Sequence, residues 1–408
     1  MKDVAFCYPS RVAGGAEFLF VKCAKYLAST NHYRVSYIDY DDGFGYKLLI
    51  EENGVEHVSY DKGKKVCLKE NTIVITPLSE LPLLDRHFEA PQTLKYLIWS
   101  INPFNLVSYI NLHRHKLFTM GKYRRARIGK KLKELSEKGI IRYMDYNNYY
   151  WTSTVFQFSL TEYYYLPICV DDFVIPELSP RSVTERQISF LWLGRLDIDK
   201  FNTVLTLVNE LDAISNKYDI KLYIIGTGNR EKEIRKRCKV SNIKVEFVGK
   251  LFGDELRNLI INKIDIGYGM GTSALDIAKL GKPVIVEGVL DHPFKSRKLK
   301  DFVLLSEIEN YDVVSPGYYK QDCKRYFEDL VDCILKNYNE YALRCAEYVF
   351  NNHSMTFVGK LLENAIEKVD SYSITDYYES ISYISKEINT RGVDNHILFK
   401  IARRLLNF

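Results

Sequence analysis

Short apolar runs rich in Val, Ile and Tyr recur along this chain and alternate with longer stretches of helical periodicity. They fall at 4–9, 34–40, 72–78 and 94–101 in the first half, then at 188–194, 220–226, 244–249, 265–269 and 283–288 in the second. A strand that is apolar on both faces must be covered on both, which is the situation of a parallel sheet with helices packed on either side. The alternation therefore predicts βα units, and two sets of them. Between the sets, 176–185 contains two prolines and two serines and no apolar periodicity, as a linker does.

At 408 residues the chain exceeds the roughly 150 residues of one domain and has room for two or three. The expected division is 1–178, 186–352 and a helical end at 353–408. Helices are expected at 202–217, 230–239, 254–262, 321–337, 340–350 and 356–369. Hydrophobic residues make up 46% and charged residues 27%, enough apolar surface for a core and too much for a disordered chain.

The net charge of +5 is too small to mark a nucleic-acid binder, but it is unevenly placed. Residues 114–142 hold 11 Lys or Arg and 2 acidic residues, a local +9, so the remainder carries −4. Within this stretch Ile128, Leu132 and Leu135 recur at helical spacing beside Arg124, Arg125, Arg127, Lys130, Lys131 and Lys133. Such a helix at 122–138 either stays in solvent or rests on anionic lipid headgroups. The segment 397–408 is a second amphipathic candidate, with Lys400, Arg403 and Arg404 on one face. The longest apolar tract, 96–112, is interrupted by Ser100, Asn102, Pro103 and Asn105 and is not a membrane span. Eight scattered cysteines without a C-x-x-C pair read as buried, reduced thiols. With no secretion leader at Met1, the expected location is the cytoplasm, peripheral to the inner face of a membrane if the basic helices bind lipid.

Three segments have the residue types for binding an anion. In 194–200, Gly-Arg-Leu-Asp-Ile-Asp-Lys follows a strand and opens a helix, so Arg195 and Lys200 lie where ligands of open α/β sheets bind. An arginine fork and a lysine point charge suit a diphosphate; the alternative is a solvated helix start in which Asp197 or Asp199 pairs with the cations. In 267–276, glycines precede Thr272, Ser273, Ala274 and Asp276 at the start of another helix, whose leading N–H groups attract anions. Asp276 there either accepts ribose hydroxyls or complements the helix dipole. In 14–17, Gly14 and Gly15 precede Glu17 after the first strand. The triplets Asp39-Tyr-Asp41 and Asp197-Ile-Asp199 are the two places with the carboxylate spacing to hold a cation, and His113 and His115 lack a third ligand. Tyr149-Tyr150-Trp151 and Tyr163-Tyr164-Tyr165 either stack on sugar rings or pack against their neighbours.

The order of GGAE at 14–17, GRLDIDK at 194–200, IIGTG at 224–228, VEFVGKL at 245–251 and TSALDIAKLGKPVIV at 272–286 resembles glycosyltransferase family 4, retaining enzymes of the GT-B fold. The resemblance implies an α/β protein of two Rossmann-like parallel-sheet domains facing across a cleft, with C-terminal helices returning toward the first. It implies transfer of a sugar from a nucleotide diphosphate-sugar, UDP being the common nucleotide, to a saccharide or lipid-linked saccharide of a surface polysaccharide, such as O-antigen, capsule or lipopolysaccharide, with no cofactor and no metal. By the same resemblance Arg195 and Lys200 grip the donor diphosphate and Asp276 meets the ribose. Gly14, Gly15, Gly194, Gly271, Thr272, Ser273 and Ala274 then belong to the donor site. Two positions depart from the family pattern. Tyr268 stands where the first glutamate of its Glu-seven-residues-Glu motif falls, and Asn102 stands at its first-domain histidine; both mark the sugar or acceptor region.

Two other readings of the same residues stand beside this one. Gly269-Met-Gly271-Thr-Ser-Ala274 fits the G-x-G-x-x-A of a dinucleotide-dependent oxidoreductase, with Glu287 at the end of the next strand. A nucleotide-sugar-binding partner of another transferase is the non-catalytic reading.

Overall fold

A computed structural model describes residues 1–12, 14–50, 54–102, 106, 122–178, 187–288, 302–314 and 324–389. The chain forms two compact units: residues 1–167 with 358–408, and residues 168–357.

The first unit is built on β1 (Lys2–Cys7), β2 (Tyr33–Asp39), β3 (Val55–Ser59), β4 (Ile73–Pro77), β5 (Lys95–Ser100) and β6 (Ile141–Tyr143). All neighbours pair in parallel, in the order β3-β2-β1-β4-β5-β6. The central strands β4 and β5 are buried at every residue, because helices cover both faces. Those helices include α1 (Gly15–Ser29), α2 (Phe44–Leu49), α3 (Lys122–Glu137) and α4 (Tyr146–Phe156). The run at 55–59 was not legible as a strand: β3 is an edge strand with exposed and half-buried residues, and its polar side chains break the apolar pattern. β6 is three residues long, too short to show a strand period in the sequence.

The second unit repeats the plan with β7 (Gln187–Leu193), β8 (Asp219–Ile225), β9 (Lys244–Gly249), β10 (Ile266–Gly269), β11 (Val284–Val286) and β12 (Val303–Leu304), in the order β12-β11-β10-β7-β8-β9. Only β12 runs antiparallel. Its helices are α5 (Ile198–Ala213), α6 (Glu231–Cys238), α7 (Gly253–Lys263), α8 (Gly271–Ala278), α9 (Phe327–Lys336) and α10 (Tyr338–His353). α11 (Met355–Asp370) and α12 (Tyr378–Asn389) follow, and from Val358 onward they pack on the first unit.

The passage between units comes at 167/168, ahead of the proline-containing stretch. Residues 168–178, grouped with the first domain on sequence grounds, contact the second: Val170 bridges to Ser354, and Asp172 accepts from the Thr356 backbone N–H and hydroxyl at 2.9 and 2.7 Å. The core of the first unit receives Leu362, Ile366 and Val369 from α11 and Ile381 and Ile384 from α12, each at most 2% exposed. The cysteines within the described residues are free, and five of them are buried. None of the described helices is long and apolar enough to cross a membrane.

Candidate active site

In each sheet the chain leaves its first strand for one side and later returns to the other. The carboxyl ends of β1 and β4, and of β7 and β10, therefore flank a topological switch point, where connecting loops part and leave room for a ligand.

In the second unit Trp192 of β7 lies opposite Tyr268 of β10. That register sets the loop beginning at Gly194 beside the turn at Met270 and Gly271. The Gly194–Asp197 loop is held by backbone bonds to the one after β8: Gly194 N–H donates to Ile225 O at 3.0 Å, Leu196 N–H to Thr227 O at 3.1 Å and Arg230 N–H to Leu196 O at 2.9 Å. This close contact demands glycine. A Cβ on Gly226 would lie 2.0 Å from Gly194 O, and one on Gly228 would lie 2.2 Å from the Leu196 carbonyl carbon. The family-like string at 224–228 thus shapes the cationic loop without supplying a charge, a role that composition alone does not reveal.

The two cations point differently. Lys200 is half-buried, with its Nζ 3.6 Å from where a Gly194 Cβ would be. Desolvation lowers its pKa, the Asp199 carboxylate pulls it back up, and the Arg195 charge lowers it again. Arg195 is 58% exposed and bonds Asp197 at 3.4 Å and Asp199 at 3.2 Å, so the carboxylate pairing considered from sequence is present. Exposed pairs of this length contribute little, about 0–1 kcal/mol, and yield readily to a doubly charged ligand. Asp197 also accepts from the Asn229 N–H at 3.0 Å, which orients it within the loop.

Across the switch point α8 begins at Gly271, whose φ of +58° suits glycine and whose N–H donates to Val313 O at 2.7 Å. Met270, the residue before it, makes no side-chain cap bond. The first turn of α8 holds no acidic residue, so the leading amides of Thr272, Ser273 and Ala274 carry the partial positive charge of a helix end. Thr272 and Ser273 are half-buried, and Ala274 is buried against the sheet. Asp276 pairs with Lys279 of its own helix at 2.8 Å and remains one-third exposed.

Tyr268 is a correction to the sequence reading. It is 0% exposed and sits among Trp192, Phe302 and Phe327, with ring centroids 6.3–6.4 Å away. The alternation of β10 puts it on the sheet face opposite α8, so it builds core and does not line a sugar pocket. Glu287 is likewise buried, 3% exposed, and accepts from the Gly288 N–H at 3.1 Å. That placement removes the acidic residue from which the dinucleotide reading drew its ribose contact.

The first unit's switch point holds carboxylates. Gly14 caps α1 in an extended conformation and Gly15 opens it. A Cβ on Gly14 would lie 2.5 Å from Glu17 Oε2, so the glycine makes space for the acid. Glu17, 7% exposed, accepts from the Ser10 hydroxyl at 2.9 Å. Asp39 is fully buried and accepts from the backbone N–H groups of Ser10, Tyr40 and Tyr46, which makes it a loop clamp. Beside them the Tyr60 hydroxyl and His87 Nδ1 share a hydrogen bond of 2.9 Å, and His87 Nε2 faces Glu80 at 3.0 Å. Burial and then neighbouring charges push the Tyr60 phenol up to about 12. Nothing in the local sequence around Glu80 and His87 announced this chain, because the two meet through a turn and not through a motif. Asn102 is exposed two residues past the end of β5.

α3 buries Ile128, Leu132 and Leu135 within the unit and leaves Lys122, Arg127 and Lys130 exposed. Arg124 pairs with Glu387 of α12, while Lys131 and Lys133 pair with Glu134 and Glu137 at 3.0 and 3.7 Å. Segment 397–408 and the His113 and His115 pair lie outside the described residues.

No protein-family model and no curated protein matches the sequence. Solved structures do match. A glycosyltransferase from Rickettsia africae ESF-5 superposes with a TM-score of 0.57 at 15% identity, over 91% of this chain and 99% of that one. The lipopolysaccharide outer core galactosyltransferase WaaB in its apo form gives 0.54 at 13% identity, over 90% and 99%. The fold is that of glycosyltransferases of the GT-B type. AviGT4, a glycosyltransferase involved in avilamycin A biosynthesis, agrees at 0.50 and 11% identity, over 91% and 98%.

Proposed function

We propose that this chain is a glycosyltransferase that moves a sugar from a nucleotide diphosphate-sugar, UDP being the nucleotide, to a saccharide or lipid-linked saccharide of a surface polysaccharide, with retention at the anomeric carbon. The observation behind the reading is the pairing of β7 with β10. It sets the loop bearing Arg195 and Lys200 beside the start of α8. The GT-B fold and its lipopolysaccharide-related neighbour WaaB support the substrate class.

As the glycosidic bond to phosphate lengthens, negative charge grows on the diphosphate and positive charge on the sugar. Cations fixed before that charge develops stabilise the transition state more than the ground state. Arg195 would exchange Asp197 and Asp199 for phosphate oxygens, Lys200 would contribute a point charge already partly stripped of water, and Thr272 to Ala274 would donate from the backbone. Asp276 would meet the ribose after leaving Lys279. The leaving phosphate oxygen takes the acceptor proton on the face of departure, so neither metal nor protein base is assigned. Acceptor binding falls to the first unit, near Asn102, while Gly14 and Gly15 remain assigned to the donor. The exposed cations of α3 support a peripheral position on the inner, anionic face of a membrane.

Thermal shifts with UDP-, GDP- and CDP-sugars test the donor. A ligand at 100 times its dissociation constant stabilises by about 2.7 kcal/mol. Arg195→Ala is expected to lower turnover at least about 100-fold, or about 2.7 kcal/mol, with the fold retained. Unchanged turnover in that variant would discard the assignment, and activity lost to chelator and restored by manganese would replace the two-cation mechanism with a metal one.

A further inference from the structure

We infer that the outer face of α4 is a docking surface for the saccharide chain of the acceptor, with Tyr146, Tyr150 and Tyr163 as its aromatic platform; the inference rests on the transferase reading for the identity of that saccharide as acceptor. Residues 143–166 hold seven of the chain's 31 tyrosines. Some are core: Tyr143 and Tyr149 are at most 6% exposed. Others are not, since Tyr150 and Tyr163 are 36% and 38% exposed and Tyr146 is half-buried between them. Tyr146 stacks on Tyr150, centroids 6.2 Å apart and planes at 28°, and meets Tyr163 edge-on at 6.0 Å. Tyr149 backs Tyr163 at 4.5 Å from beneath. The rings are therefore held in fixed orientations before any ligand arrives, which limits the ordering cost of binding.

Charge selects the occupant. From 143 to 166 there is no Lys or Arg, and the only acidic residues are Asp145 and Glu162. The stretch itself supplies no cation for lipid phosphates or nucleic acid, and Arg142 and Lys368, cations that reach it from outside, lie over the ring of Tyr164, which is not one of the three platform rings. Rings with hydroxyl groups, among Asn, Gln, Ser and Thr side chains, suit a neutral, hydroxyl-rich ligand whose apolar C–H faces cover aromatic faces. The head of the same helix also holds two buried acceptor atoms, Asp145 Oδ2 and Asn147 Oδ1, that meet no donor among the described residues. A ligand rich in O–H donors complements a helix end of this kind, through bound water where the atoms themselves are closed off.

Position agrees. Met144 N–H donates to Ser100 O at 3.0 Å and the Ser100 hydroxyl to Asn148 at 3.3 Å, so the start of α4 adjoins the end of β5, two residues before Asn102. A saccharide presenting one hydroxyl near Asn102 has the tyrosine face in reach of its further sugar rings.

The test is saturation-transfer NMR on the full chain with neutral tetrasaccharides of gluco, galacto and manno configuration in α and β linkage. At least one is expected to bind, with affinity reduced about tenfold or more by Tyr150→Ala and by Tyr163→Ala and retained by Tyr150→Phe. Binding of none, or binding indifferent to both alanine variants, overturns the inference. So does a loss confined to phosphatidylglycerol-vesicle binding, or to self-association of the chain, since each would name a different occupant. Thermal shift by UDP-, GDP- and CDP-sugars, read in parallel, separates the two proposals. Saccharide binding through the tyrosines without any donor shift keeps this surface and rejects the transferase reading, whereas a donor shift without saccharide binding does the reverse.

Discussion

At the scale of single residues, burial sets what charge can do. His353 is wholly buried, with its ring nitrogen bonded to Ile168 O at 2.8 Å, and desolvation pulls its pKa down to about 4. The folded state thus holds it neutral, and the stability it permits is complete above an unfolded pKa near 6.5 and lost as pH falls toward 4. Asp145 runs the other way. Burial pushes its carboxyl up to about 6 against the hydrogen bonds from Asn148, so its contribution is complete below about pH 4 and is lost as pH rises through 6. Unfolding measured from pH 7.5 to 4 is expected to show a shallower acid loss in His353→Gln than in the native chain. Asp145→Asn, which keeps a capping residue, is expected to remove a cost of about 2–3 kcal/mol near neutral pH. Gly228→Ala belongs at this scale too. With 2.2 Å available, the new methyl must displace the Leu196 backbone, at about 1–3 kcal/mol in denaturant unfolding and with loss of donor-induced stabilisation.

Among elements, α3 separates two functions by face. Leu132 is fully buried, and Leu132→Ala is expected to cost about 2–5 kcal/mol of stability. Arg127 and Lys130 are exposed, and Arg127→Ala with Lys130→Ala should move stability by no more than about 0.5 kcal/mol each. Their loss is expected to weaken sedimentation with phosphatidylglycerol vesicles, by about 1 kcal/mol per residue if the helix rests on the bilayer. Unaltered vesicle binding in the double variant would detach α3 from the membrane reading. The apolar triad Ile128, Leu132 and Leu135 was legible from its spacing, but its destination was not. Periodicity marks a face as one that needs covering and is silent on whether protein or lipid covers it. The helices of the second unit lie close to their expected positions, with shifts of a few residues at their ends, since end positions depend on caps and neighbouring loops.

For the whole molecule, connectivity makes the units unequal. The second is a continuous run, 168–357, whereas the first needs 358–389 to complete its core. Lys95 bonds Asp370 at 2.7 Å, and the Tyr96 N–H donates to the Tyr377 hydroxyl at 3.0 Å, in a place that local contacts cannot fill. A chain ending at 357 is expected to lose the first unit's unfolding transition, while residues 168–357 alone melt cooperatively. Two transitions surviving in the shortened chain, followed by calorimetry, would contradict this.

Read alone, the amino-acid order established the repeated strand-helix rhythm, the parallel sheets it requires, and the places where cations and glycines follow strands, because burial on both faces and loop chemistry are properties of neighbours in the chain. Tertiary structure alone decided that β10 returns beside β7, that Tyr268 faces inward, that Arg195 rests on two carboxylates, and that α11 and α12 close the first unit. Each of these depends on which surfaces meet after the chain has doubled back, and contact between residues far apart in order leaves no local period to read.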